Sequence, residues 1–144
     1  MTYTSNAIET QGFKLEIAND PEASPLVYTE VKEVVSFNGF GGQAAEVDRT
    51  HLQSPGKEFL MGLQDFGTFD VETNYLSNDD GQKKMRAAKA SRVKQHFRTT
   101  YSDGSGELFE GYVLSGPKSG GVDGKLDGSF SIRVTGAPVF NEAP

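Results

Sequence analysis

The chain has no cysteine and no tryptophan, and only two histidines among its 144 residues. Without cysteine there is no disulfide framework, no thiolate metal site and no cysteine nucleophile. The expectation is a fold held by its core alone and made in a reducing compartment. No apolar run approaches the ~20 residues that a bilayer-crossing helix requires. Residues 1–6 hold neither a basic nor an apolar stretch, so no secretion signal is expected there. His51 and His96 lie far apart, and neither has neighbours that would complete a metal site or a catalytic triad.

Other catalytic patterns fail on inspection. Ser54-Pro55-Gly56-Lys57-Glu58 imitates a phosphate loop, but the leading glycine is missing and Glu58 stands where a hydroxyl residue is required. Asp123-Gly124-Lys125-Leu126-Asp127-Gly128 imitates a calcium loop without its ligand spacing or closing Glu, and reads as turn chemistry at a strand entrance. Asp70 and Glu72 share one strand face, which suits acid–base work in a cleft or a solvated surface elsewhere. No catalytic residue, metal ligand or cofactor site is expected.

What is present is an aromatic-rich single domain with ten Phe and five Tyr. The net charge of −6 is unevenly spread. Residues 1–80 hold fourteen acids and four bases, whereas residues 83–98 hold seven bases and no acid. Such separation fits a nucleic-acid patch, a surface that meets the acidic part of another copy, or a solvated basic helix face.

Period-two alternation dominates the chain. It predicts strands over 13–17, 27–37, 68–75, 93–101, 108–114 and 126–135. Residues 38–56 lack any period and contain Gly39, Gly41, Gly42 and Gly56, so they are expected to form a long irregular loop, mobile in the free subunit. Ser77 and Asp80 form a capping box that opens a helix over 78–91. Gly81 in its first turn costs up to about 1 kcal/mol relative to Ala. The helix buries only a thin stripe around Met85 and Ala88, which suits a position on the edge of a sheet. Together these elements predict a mainly β fold: an antiparallel β-sandwich or barrel with one flanking α-helix, spanning residues 1–144. Residues 1–12 would be a flexible N-terminal arm, 38–56 an assembly loop and 136–144 a C-terminal tail.

One combination of motifs is specific. Ala45-Glu46-Val47-Asp48-Arg49-Thr50-His51-Leu52 is followed by Lys57-Glu58-Phe59-Leu60-Met61-Gly62-Leu63-Gln64-Asp65-Phe66-Gly67-Thr68. Later come the acid-capped helix, a basic strand, Phe109-Glu110-Gly111-Tyr112-Val113, a glycine-rich loop and Phe130-Ser131-Ile132-Arg133-Val134-Thr135-Gly136. Over residues 27–140 this order resembles the major tail tube proteins of long-tailed bacteriophages. No immunoglobulin-like decoration domain is expected after Pro144.

The resemblance implies a non-enzymatic virion subunit that forms rings of six, stacked head to tail into a conduit for DNA ejection. In that setting the candidate subunit contacts are Phe40, Val47, Asp48, Arg49, Leu52, Lys57, Glu58, Phe59, Lys83, Lys84 and Arg86. Asp70 and Glu72 are candidates for the channel wall. The implied partners are further copies of the chain, a tape-measure protein, terminator and tail-tip proteins, and DNA in transient passage, with no membrane. The implied place is the virion tail, reached by assembly in the host cytoplasm. The alternatives are a tube protein of a contractile secretion machine, a nucleic-acid-binding module using residues 83–98 and, weakest, an enzyme.

Overall fold

Alternating side chains make most of this chain strand. The computed structural model, which describes residues 7, 10–122 and 124–142, contains ten strands and one helix among those residues. They are β1 (Lys14–Ala18), β2 (Tyr28–Val31), β3 (Val34–Gly39), β4 (Ala44–Asp48), β5 (Phe59–Gln64), β6 (Thr68–Asn74), α1 (Asp80–Ser91), β7 (Gln95–Thr100), β8 (Gly106–Ser115), β9 (Lys118–Ser119) and β10 (Asp127–Asn141). One antiparallel sheet runs β2-β1-β7-β8-β10-β6-β3, with short β9 on β10, and β4 and β5 form a separate ribbon. The mainly β, antiparallel architecture with a single helix is the one the alternation predicts.

Each main strand buries one parity of its residues. Phe69, Val71 and Thr73 point inward from β6, and Phe130, Ile132 and Val134 from β10. Leu15 and Ile17 enter from β1 and Phe97 from β7. Phe97, Phe109, Phe69 and Phe37 form a chain of rings with centroids 5.2, 5.4 and 5.8 Å apart. Phe13, beside β1, stacks on Phe37 of β3 at 4.0 Å, although β1 and β3 lie near opposite ends of the sheet order. The sheet is therefore folded over on itself.

Topology explains why. β2 and β3 are the two outermost strands, yet only Lys32 and Glu33 separate them. So short a link spans roughly 10 Å at most, so the two edges of the sheet must come together. Glu33 takes a left-handed backbone (φ +62°), a cost of about 1–2 kcal/mol for a non-glycine residue. That cost is offset by a network around Gln82, whose side chain is completely buried. Its amide donates to the carbonyls of Lys32 and Asn74, both at 3.0 Å, and accepts from the Leu76 N–H at 2.9 Å. Asp79 caps the helix by accepting from the Gln82 N–H and also accepts from the Lys32 N–H. The end of β6, the start of α1 and the crossover are thus tied at one point.

The expected elements need several corrections. The run over 27–37 is two strands, broken by the left-handed turn at Glu33. The helix starts at Asp80 with Asp79 as its N-cap, two residues later than Ser77, because Asp79 serves both helix and crossover. Gly81 is required by packing: a Cβ there would lie 2.2 Å from the Glu30 carbonyl oxygen of β2. Residues 38–56 are not one irregular loop, since Ala44–Asp48 pairs with Phe59–Gln64. Residues 136–141, expected as tail, continue β10, with Val139 opposite Leu108 and Phe140 opposite Glu107. Of the expected N-terminal arm, residues 1–6, 8 and 9 lie outside the described residues.

Gln82→Leu should leave three part-buried backbone groups without their side-chain partner. The penalty for a group fully cut off from water is about 1–3 kcal/mol, and with water in reach of these the expected total loss is about 1–3 kcal/mol, read as a lower urea midpoint. An unchanged midpoint would show that the crossover is held by other contacts.

Candidate assembly interface

The β4–β5 ribbon projects from the sheet as an arm with apolar side chains on both faces. On β5, Phe59 and Met61 share one face and Leu60 and Gly62 lie on the other, and a bulge beyond Met61 interrupts the alternation before Leu63. The register sets Val47 opposite Leu60, Glu46 opposite Met61 and Asp48 opposite Phe59, with a bulge between Ala44 and Glu46. Met61 is 72% and Leu63 92% exposed, and Val47, Phe59 and Leu60 are each about half exposed. An isolated two-stranded ribbon is marginal in water. This one exposes what a core would bury.

Its tip is organised by polar contacts. The Thr50 N–H donates to the Asp48 carboxylate at 2.9 Å, and the Glu58 N–H donates to the Thr50 hydroxyl at 2.8 Å. The first of these bonds holds the Asp48 carboxyl below the usual range. Ser54 donates to Glu58 at 2.7 Å, and His51 lies 3.5 Å from the same carboxylate. His51 also accepts from the Gln53 N–H through Nδ1. The two histidines are thus spent locally, His51 at the tip and His96 beside Glu110 on β8.

The root of the arm is pinned to the sheet. Gly42 passes so close to Asp65 that a Cβ would meet the Asp65 carbonyl oxygen at 1.5 Å. The Asp65 N–H donates to the Gln43 carbonyl at 2.9 Å, and the Gly67 N–H donates to the Asp65 side chain at 2.8 Å. Arg133 of β10 pairs with the same carboxylate at 2.7 Å. Arg133 is the main reason that the Asp65 carboxyl is held below its ordinary range.

A second surface has the opposite character. The outward face of β3, β6 and β10 carries Ser36, Asn38, Asp70, Glu72, Ser129 and Ser131 in facing register. Ser131 donates to Asp70 at 2.6 Å and Ser36 to Glu72 at 3.3 Å. Among the described residues no cation pairs with either carboxylate.

Residues 15–141 match the profile described as lambda phage tail tube protein, TTP. The chain belongs to that family. It is a structural protein of the phage virion and forms the tail tube. The fold of this tail tube subunit is shared by solved structures of low identity. The SPP1 tail tube is 18% identical with a TM-score of 0.76, covering 94% of this chain and 79% of that one. The tail of an empty gene transfer agent (GTA) particle, refined with C6 symmetry, is 14% identical with a TM-score of 0.77, covering 94% and 100%. The sheath/tube terminator of PVC, an extracellular contractile injection system, is 4% identical with a TM-score of 0.71, covering 97% and 100%. No curated protein sequence matches the chain.

The tail tube subunit brings the expected contact residues together only in part. Val47, Asp48, Arg49, Leu52, Lys57, Glu58 and Phe59 all lie on the arm. Phe40 does not, because it packs inward on Phe69 and Phe109 at 5.3 and 5.0 Å. Lys83, Lys84 and Arg86 lie on the distant helix, where Arg86 is already engaged with the Leu76 and Ser77 carbonyls and the Tyr75 ring. Lys94 pairs with Glu110 and Arg98 with Glu16, so part of the charge separation in sequence is cancelled in space. Leu60, Met61 and Leu63 are further exposed residues of the arm. Their signal is a run apolar at both parities, bounded by charged turns.

Two outcomes follow for the arm root. A carboxyl-carbon NMR titration should place the Asp65 midpoint below the ordinary value of about 3.9. A depressed folded value means that the Arg133 contact holds above the unfolded value and is lost as pH falls through the folded one. A midpoint at or above the ordinary value would mean that the contact does not form in solution. Gly42→Val should displace the arm and suppress polymerisation while leaving the melting of the main sheet nearly unchanged. Normal polymerisation of that variant would show that the arm needs no fixed root.

Proposed function

We propose that this subunit builds a tube of stacked six-membered rings, joined head to tail, and has no enzymatic role. The observation that carries the reading is the division of its surface between an apolar arm and a hydroxyl-and-carboxylate sheet face. In this reading the arm residues Val47, Asp48, Arg49, Leu52, Lys57, Glu58 and Phe59 meet neighbouring copies. Lys83 and Lys84 meet acidic surface of another copy, as a heterologous contact between unlike ends requires. Tape-measure, terminator and tail-tip proteins complete the partner set, and assembly takes place in the host cytoplasm.

The channel wall in this reading is the face carrying Asp70 and Glu72. DNA must slide through without adhering. Each phosphate neutralised by Lys or Arg strengthens binding through counterion release, so a basic wall would retain the genome. Carboxylates held between serine hydroxyls repel it instead, and repetition around each ring multiplies the effect. The basic segment 83–98 then lies outside or between rings.

Purified protein imaged at rising concentration should form tubes; a chain that stays monomeric and never enters tails would overturn the reading. Asp70→Lys combined with Glu72→Lys should still fold and form tubes but slow or block DNA ejection. Normal ejection would show that these residues do not set the charge of the wall. Failure to form tubes would assign them to a subunit contact instead.

A further inference from the structure

A surface that must let DNA slide is compromised by an unmasked arginine, because a guanidinium grips phosphate through parallel N–H bonds. The hydroxyl-and-carboxylate face carries one such residue. Arg133 lies opposite Thr68 in the β6–β10 register, two residues along β10 from Ser131, which puts it on the same side as Asp70 and Glu72. It borders a hollow of about 310 Å³ that Asn38, Thr68 and Asp70 also line. Its side chain is 44% exposed, so a phosphate entering that hollow meets it.

Arg133 is already answered. Its Nη2 lies 2.7 Å from Asp65 Oδ1, and the Gly67 N–H donates to the same oxygen at 2.8 Å. That second bond fixes the carboxylate from its own backbone turn, independently of the arginine. Asp70 is a diagonal neighbour of Arg133 across the ladder, yet it is held by other donors, the hydroxyls of Ser131 at 2.6 Å and Thr68 at 3.4 Å. The arginine is thus neutralised from beside the face, and Asp70 keeps its charge. A pair this exposed adds little to stability; what it changes is the charge that the face presents. The opposite end repeats the device. Lys125 borders the hollow that Glu72 and Ser129 line, and Asp127 pairs with it at 3.4 Å.

We propose that Asp65 is a charge mask: it holds Arg133 away from the phosphates of passing DNA and leaves Asp70 free to repel them. Asp65 is a positioning residue that acts through Arg133. This inference rests on the reading of the face as the channel wall, and adds the residue that silences the arginine on it.

Asp65→Asn removes the charge but keeps an oxygen for the Gly67 N–H, and the bond from the residue 65 N–H to the Gln43 carbonyl is untouched, so the arm stays rooted. Phage carrying it should eject DNA at least about tenfold more slowly at low salt, with the delay shrinking as salt rises, because each phosphate contact adds to the salt dependence. Adding Arg133→Gln should return ejection toward the wild-type rate, and Asp65→Glu should stay close to it. A merely structural role for Asp65 would produce neither the salt dependence nor the rescue. The free subunit gives a second measurement, which needs no tails: inorganic phosphate should shift the Arg133 Nε–H resonance in Asp65→Asn and leave it in place in the wild type. An Arg133 that stays silent in Asp65→Asn overturns the mask, as does an ejection delay that survives Arg133→Gln. A phosphate-responsive Arg133 in phage that eject normally shows that DNA does not meet this face, which overturns the proposal for DNA together with the wall reading.

Discussion

The two-residue crossover between β2 and β3 is the constraint on which the rest of the subunit depends. Strands adjacent in sequence sit at opposite ends of the sheet order, so the sheet closes or the chain cannot be connected. Closure brings the two edge strands to one corner without pairing them, so β2 and β3 keep backbone groups open to another strand. It also encloses the run of stacked phenylalanines without help from a disulfide. Gln82 is the polar key to the arrangement. A fully buried amide is costly unless satisfied, and here its three bonds reach the crossover, the end of β6 and the segment entering the helix.

The closed body makes the open arm tolerable. Because the sheet buries its own core, the exposed apolar residues of β4 and β5 have no structural duty within the subunit. They can be held at a fixed angle by Gly42, Asp65 and Arg133 without compromising the fold. The polar sheet face shows the same separation of duties. Its serines and carboxylates alternate with buried Phe69, Val71, Phe130 and Ile132, so one set of strands forms the core and a wet wall together.

The sequence was most legible where one side of a strand is buried and the other is wet. β6 and the first half of β10 alternate cleanly, and their inward and outward sets are as the pattern predicts. The helix was readable from its caps and charges, although Asp79 displaced Ser77 once the crossover claimed the same carboxylate. The arm was hidden for a physical reason: a ribbon apolar on both sides has no period-two signal. The split at Glu33 was hidden as well, since nothing local marks a left-handed glutamate whose conformation is imposed by closure. Phe40, a candidate subunit contact within a glycine-rich stretch, has a left-handed backbone and packs on Phe69 and Phe109. The Asp65–Arg133 anchor joins residues far apart in the chain, and no single-sequence spacing could reveal it.

The position of β10 has a consequence for biosynthesis. This strand lies between β8 and β6 in the sheet, yet it is the last in chain order among the described residues. Without it, β6 with β3 and β8 with β7 belong to two half-sheets that share no strand pairing. A polypeptide cut short before residue 127 cannot zip those halves together, so it presents neither a finished body nor a correctly rooted arm. A central strand that comes last among the described ones makes closure of the sheet the final pairing step.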